Sequence, residues 1–141
     1  MGKRILVIEP SPTLRAILGM YFEREQQQFV QFENYEAAAQ ALPCFRSEPP
    51  DLALVALHIH QPESFRVTEL LRQQYAQMIL IVMIAQEDSS QSTVRHLVQR
   101  TQAIALPKPF SIQDVLNLLA AAAQVASTAP RGIGIEREKR A

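Results

Sequence analysis

The chain has 141 residues, 48% of them hydrophobic and 20% charged, the balance of one globular domain with a single core. Lys plus Arg and Asp plus Glu both number 14, and a formal net charge of zero argues against a nucleic-acid-binding domain that works through an overall positive field. The lone Cys44 excludes an internal disulfide or a cysteine-cluster zinc site, and no stretch approaches the roughly 20 apolar residues of a membrane span.

Arg4 to Ile8, RILVI, is a continuous β-branched run, as expected of a strand buried on both faces. It is too short for the apolar core of a signal peptide, so a cytoplasmic location is the expectation. Ser11 follows as candidate N-cap, with Pro12 at the first helical position and Leu14, Ile17, Leu18, Tyr21 and Phe22 as one apolar stripe. Phe29 to Phe32 predicts a short strand. The helix after it carries Tyr35, Ala38, Ala39 and Leu42 on one face and stops near Pro43.

Leu52 to Leu57 is the third strand. A helix over about 65–75 presents Val67, Leu70 and Leu71 inward. Met78 to Ala85 is the most apolar strand, central in the sheet or next to the centre. Asp88 to Arg100 is a weaker helix, apolar at Val94, Leu97 and Val98, and Ala103 to Leu106 is a fifth strand. The last helix starts at Ser111, with Asp114 in capping-box spacing. Five buried strands alternating with five helices mean an α/β fold with a parallel sheet. From Ser127 the composition turns to small and then charged residues, so residues 1–125 read as the domain and 126–141 as a flexible or weakly helical tail.

In such a sheet the functional crevice lies at the carboxyl ends of the strands. Those ends carry Glu9 and Pro10, then Ala56, Leu57 and His58, then Ile84 and Ala85, and finally Lys108 in PKPF. The segments KRILVIEPSPTLR, EPPDLALVALHIHQPESF, ILIVMIAQEDSS and LPKPFSIQDVLNLL resemble the successive signatures of the response-regulator receiver domain of two-component signalling, in register from about Lys3 to Ala123. The resemblance implies a doubly wound (βα)5 flavodoxin-like fold with strand order 2-1-3-4-5. It also implies a site: two adjacent acids that hold Mg²⁺, an Asp that accepts phosphate from a histidine kinase, a Thr or Ser and a Lys that sense it, and a switching aromatic. Position by position these fall on Glu9 and Pro10, on Ala56, on Ile84, on Lys108 before Pro109, and on Ala105. Only the first acid and the Lys-Pro pair keep the pattern, so the chain reads as a degenerate, pseudo-receiver member.

The chemical expectation is plain. Mg²⁺ takes hard oxygen ligands, and one carboxylate remains of three, so Mg²⁺ binding is expected to be lost and no other cofactor is implied. Alanine has no oxygen to phosphorylate, and isoleucine has no donor for a phosphoryl oxygen. Lys108 is expected to pair with Glu9 or reach solvent. His58 and His60 lie near Glu63 without a third ligand, and Ser11, Thr13 and Ser64 lack a general base at defined spacing. Arg131 to Gly134 is no phosphate loop, because no strand precedes it. Arg131, Arg137, Lys139 and Arg140 are offset by Glu136 and Glu138, which favours a solvated tail over a nucleic-acid arm.

The favoured function is a non-enzymatic, phosphorylation-independent signalling module of bacterial type. Its partners would be signalling proteins, a histidine kinase or a downstream effector, or a second copy. The surface for them would be the face of the fourth helix, fifth strand and fifth helix, with Val94, Arg95 and Val98 as candidates. One alternative is small-ligand sensing in the emptied crevice. Another is a phosphorelay acceptor on a different residue, against which Asp51 counts poorly: it begins the third strand, roughly 16 Å from Ala56.

Overall fold

The computed structural model describes residues 3–128. Its strands are β1 (Arg4–Ile8), β2 (Gln28–Phe32), β3 (Leu52–Leu57), β4 (Ile79–Ala85) and β5 (Ile104–Lys108). The helices are α1 (Pro12–Arg24), α2 (Tyr35–Ala41), α3 (Pro62–Gln74), α4 (Ser92–Thr101) and α5 (Ile112–Thr128). The five strands form one parallel sheet in the order β2-β1-β3-β4-β5, the flavodoxin-like arrangement. The chain divides into two compact units at Phe110 and Ser111; the first holds the whole sheet with α1 to α4, and the second holds α5.

The central strand β3 is buried at all six positions, and β4 beside it at five of seven. On one sheet face Leu6, Ile8, Ala53 and Val55 meet Tyr35, Ala38 and Leu42 from the α2 side and Val67 and Leu71 from α3. Leu57, Val82 and Ile84 meet Val94 and Leu97 of α4 in a second cluster. On α1, Leu18 and Phe22 are fully buried, each contributing about 1.5–3 kcal/mol by leaving water. The Phe22 ring stands 5.8 Å from that of Phe29, and α1 packs directly on β2: a Cβ at Gly19 would sit 3.4 Å from Phe29, at ordinary van der Waals contact.

The predicted caps are present. Ser11 Oγ accepts the Leu14 N–H at 3.2 Å. Within the second unit Ser111 Oγ accepts from the Asp114 N–H, and Asp114 Oδ2 from the Ser111 N–H. The helix expected from about Phe65 begins at Pro62 instead, because Pro suits the first turn and Ser64 Oγ, wholly buried, bonds the Gln61 carbonyl at 2.8 Å. The helix expected from Asp88 begins at Ser92, after a 3₁₀ turn over Gln86–Asp88. Ile17, expected in the α1 stripe, is 41% exposed. α5 runs to Thr128, past the expected start of the tail; the readings made on 129–141, with Arg131, Arg137 and Arg140 among them, lie outside the described residues.

Candidate functional site

Glu9 follows β1 and is buried to 1% exposure, an expensive place for a carboxylate unless its oxygens are satisfied. Both are. Oε1 takes the Lys108 ammonium at 2.8 Å, and Oε2 accepts the Ser11 N–H at 3.0 Å. Of the two outcomes expected for Lys108, pairing is the one observed. Lys108 ends β5 and precedes a cis peptide bond to Pro109. Two strands, β3 and β4, separate β5 from β1, which places the outer two about 14 Å apart at ordinary strand spacing. Only two long side chains reaching towards each other span that distance, so the ion pair passes over the ends of β3 and β4.

Ala56 lies below this bridge. The register pairs Ile8 with Val55, so Glu9 is level with Ala56, which in turn pairs with Met83 of β4. Ala56 is fully buried, and its carbonyl accepts the Tyr35 hydroxyl at 2.5 Å. Tyr35 enters the crevice as the first residue of α2, whose N-cap Asn34 accepts the Ala37 N–H. Burial pushes the Tyr35 phenol well above its ordinary range, and the nearby Glu9 and Glu63 carboxylates add to the effect. It is therefore a neutral donor at physiological pH. Arg15, one turn into α1, donates to the Glu9 carbonyl at 2.9 Å and the Pro10 carbonyl at 3.3 Å.

The remaining positions are dispersed. Ile84 is fully buried among Leu57, Val94 and Leu97, so its side chain belongs to the α4 core and not to the ion pair. Ala105 is exposed on β5, opposite Val82. Pro10 is half-buried between Glu9 and the helix cap. His58 is tied into the β3–α3 loop, where its N–H donates to Ser64 Oγ at 3.1 Å, while His60 is exposed. Among the described residues no three His, Cys, Asp or Glu side chains form a metal-holding group.

One expectation is corrected. Val94 is 1% exposed and packs beneath α4 with Leu97, so it is not on any partner surface. The helix turns Val94 and Leu97, three residues apart, to the same face, and the sheet takes both. Arg95 is exposed and Val98 half-buried. On β5 the exposed Ala105 pairs with Val82 and so shares the sheet face that carries α4, whereas Ile104 pairs with Ile81 and points to the other face.

Tyr35 and Arg15 are the residues sequence reasoning missed. Tyr35 read as part of an apolar stripe, and only its hydroxyl, a polar atom needing a partner when buried, carried a hint. Depressions elsewhere include one of about 240 Å³ beside Val30 and Phe45, at the opposite end of the sheet, and one of about 440 Å³ between α2 and α3, reaching Tyr35. Neither is lined by Glu9, Ala56, Ile84 or Lys108.

Residues 5–120 match the family described as the response regulator receiver domain. Among solved structures, the chain is similar to a CheY-like response regulator receiver domain protein from Methanospirillum hungatei JF-1: TM-score 0.72, 16% identity, 88% of this chain and 98% of that one. It is similar to the chemotaxis protein CheY4 of Vibrio cholerae: TM-score 0.70, 14% identity, 86% and 99% of the two chains. A third is described as adenylate cyclase from Rhodopirellula baltica: TM-score 0.74, 19% identity, 92% and 94%. At these identities the likenesses show the fold. No curated protein matches the chain.

Proposed function

Because the chain belongs to the response regulator receiver domain family, a family of two-component signalling, we propose that it is a pseudo-receiver, a module that signals through protein contacts without being phosphorylated. The observation that carries this reading is the state of Glu9. Its two oxygens are committed to Lys108 and to the Ser11 N–H, and the neighbouring position holds Ala56 in place of a carboxylate. A cation arriving there would find one acid already neutralised, next to a proline and a methyl group. Mg²⁺ binding needs several oxygen ligands and carboxylate charge, so the module works without it.

Without phosphate there is no differential affinity to move the domain between two states. Ile84 packed against Val94 and Leu97, and an alanine at 105 where the resemblance places an aromatic, favour one fixed packing. The output is then a constitutive docking surface on α4 and β5, formed by Arg95, Val98 and Ala105, for a histidine kinase, an effector or another signalling protein. The module has no enzymatic step, and the cytoplasm is its place of action. Among the described residues no helix is long and apolar enough to cross a membrane.

The test is incubation with acetyl phosphate and Mg²⁺ followed by intact mass and amide shifts around Glu9 and Ala56. An unchanged mass and unmoved amides are expected. A stoichiometric acyl-phosphate adduct on any residue refutes the reading. In a pull-down from the native cell, Arg95→Glu should lose the partner while keeping the fold. Capture that ignores Arg95 but depends on Glu9 and Lys108 would replace docking by ligand sensing.

A further inference from the structure

We propose that the free edge of β2 joins two copies of this chain, antiparallel and about a two-fold axis through Val30, into one continuous sheet. Among the described residues β2 lies at the sheet edge and pairs only with β1. The Gln28 N–H donates inward to the Lys3 carbonyl, and the Phe32 carbonyl accepts inward from the Glu9 N–H. Backbone groups alternate along a strand, so residues 28, 30 and 32 point to β1, and Phe29 and Gln31 direct their N–H and C=O groups outward. An edge strand with such a row of unpaired groups is a template for another strand.

The outward groups fit a second copy of themselves. In an antiparallel pair centred on Val30, Phe29 faces Gln31 of the second copy, and Gln31 faces its Phe29. Each pair then exchanges both hydrogen bonds, and the two Val30 residues form the close, non-hydrogen-bonded pair between them. Val30 is a large apolar residue left 36% exposed, beside the depression of about 240 Å³ that Phe45, Gln28 and Arg4 also line. That opening lies on the face away from α1, where α2 ends at Ala41 and a 3₁₀ turn with Pro43 follows. The side chains of Phe29 and Gln31 are already held on α1, by the Phe22 ring 5.8 Å from that of Phe29 and by the Gln31 amide donating to the Arg15 carbonyl at 2.7 Å. The edge is therefore presented ready for pairing.

Charge and edge chemistry favour a second copy. The strand QFVQF has no charged residue and no proline, so self-pairing sets no like charges opposite each other. The other edge, β5, carries Pro107 and Lys108, which blunt it. Pairing thus stops at two copies. One strand pair is smaller than a standard interface of about 1,600 Å², so the association is weak and reversible.

The experiment is sedimentation velocity from micromolar to millimolar protein, with site-directed cross-linking in the full chain. In a Cys44→Ala background, Val30→Cys should oxidise to a covalent dimer, because the paired α-carbons would stand about 4.5 Å apart, within disulfide reach. Gln99→Cys on α4 should not. Val30→Lys sets like charges together and should raise the dissociation constant at least tenfold with an unchanged far-ultraviolet spectrum. Gln31→Pro, which removes an outward N–H and spares the β1 ladder, should act in the same direction. A chain that stays monomeric throughout, a dimer indifferent to Val30→Lys and Gln31→Pro, or preferential cross-linking at position 99 overturns the proposal. The last result would instead favour the α4–β5 surface, so the two readings fail separately.

Discussion

The two ends of the sheet each carry an ion pair whose acid also accepts a backbone N–H, Glu9 from Ser11 and Asp51 from Arg4, and the pairs differ in distance and burial. At the carboxyl end Glu9 and Lys108 meet at 2.8 Å, with side-chain exposures of 1% and 26%. At the amino end Arg4 and Asp51 approach only to 3.9 Å and are more than a third exposed. A solvated pair gains little because water screens it and long side chains lose freedom, whereas a buried carboxylate deprived of its partner keeps its full desolvation cost. The side-chain ion pair is therefore structural at one end and contributes little at the other, where the bond from the Arg4 N–H to Asp51 remains.

The sharpest way to break this contrast is Lys108→Met. It strands the Glu9 carboxylate, whose remaining partner is the Ser11 N–H, and should lower unfolding free energy by about 2–3 kcal/mol in urea titration. Replacing both groups, Glu9→Leu with Lys108→Met, should recover most of that loss, since an apolar pair leaves no charge behind. Equal destabilisation by the single and double variants would mean that the bridge is not the source of the effect.

Arg72 tests whether an acid is needed at all. Its guanidinium donates to four backbone carbonyls: Thr101 at 2.6 Å, Met78 at 2.8 Å, Ala76 at 2.9 Å and Tyr75 at 3.1 Å. Burial alone pulls its pKa below the usual value. These bonds tie the end of α3 to the end of α4 and to the approach to β4. Arg72→Ala should cost about 2 kcal/mol, measured by chemical denaturation, and Arg72→Lys should recover only part, because an ammonium lacks the planar fork.

Tyr35 extends the comparison to pH. Its pKa is raised in the fold, so the folded state holds the phenolic proton more tightly than the unfolded chain does. That contribution is complete below the ordinary value of 10.0 and is lost as pH rises above it. Thermal melts should therefore fall steeply in the alkaline range, and Tyr35→Phe should flatten that limb. At neutral pH the same variant should cost about 1 kcal/mol through the lost bond to the Ala56 carbonyl. The smallest effect belongs to Asp51→Asn, about 0.5 kcal/mol and sensitive to salt. A loss as large as that of Lys108→Met would erase the distinction between the two ends.

Local chemistry made much of the fold legible in advance. Continuous β-branched runs, Ser11 with Pro12, and the Ser111 and Asp114 pair act within a few residues of chain, so their outcomes depend little on anything distant. The same locality identified Glu9, Ala56, Ile84 and Lys108 as strand-end residues. What helical periodicity left open was direction: Val94 and Val98 belong to one weak stripe, and only the arrival of β3 and β4 beneath α4 decided that Val94 is core and Val98 half-open.

The amino-acid sequence by itself thus determined the order of strands and helices, their caps, and which residue types stand at the crevice, because propensity, capping and periodicity are short-range. The tertiary structure decided which of those residues meet. Glu9 and Lys108 are 99 positions apart and Tyr35 and Ala56 are 21 apart. Each contact forms because a buried polar atom must find a partner among the groups that sheet order brings within reach. The openness of β2 has the same origin: QFVQF reads as any short strand, and its place at the sheet edge, beyond the reach of α2, leaves Val30 part-exposed and, among the described residues, the outward backbone groups of Phe29 and Gln31 unpaired.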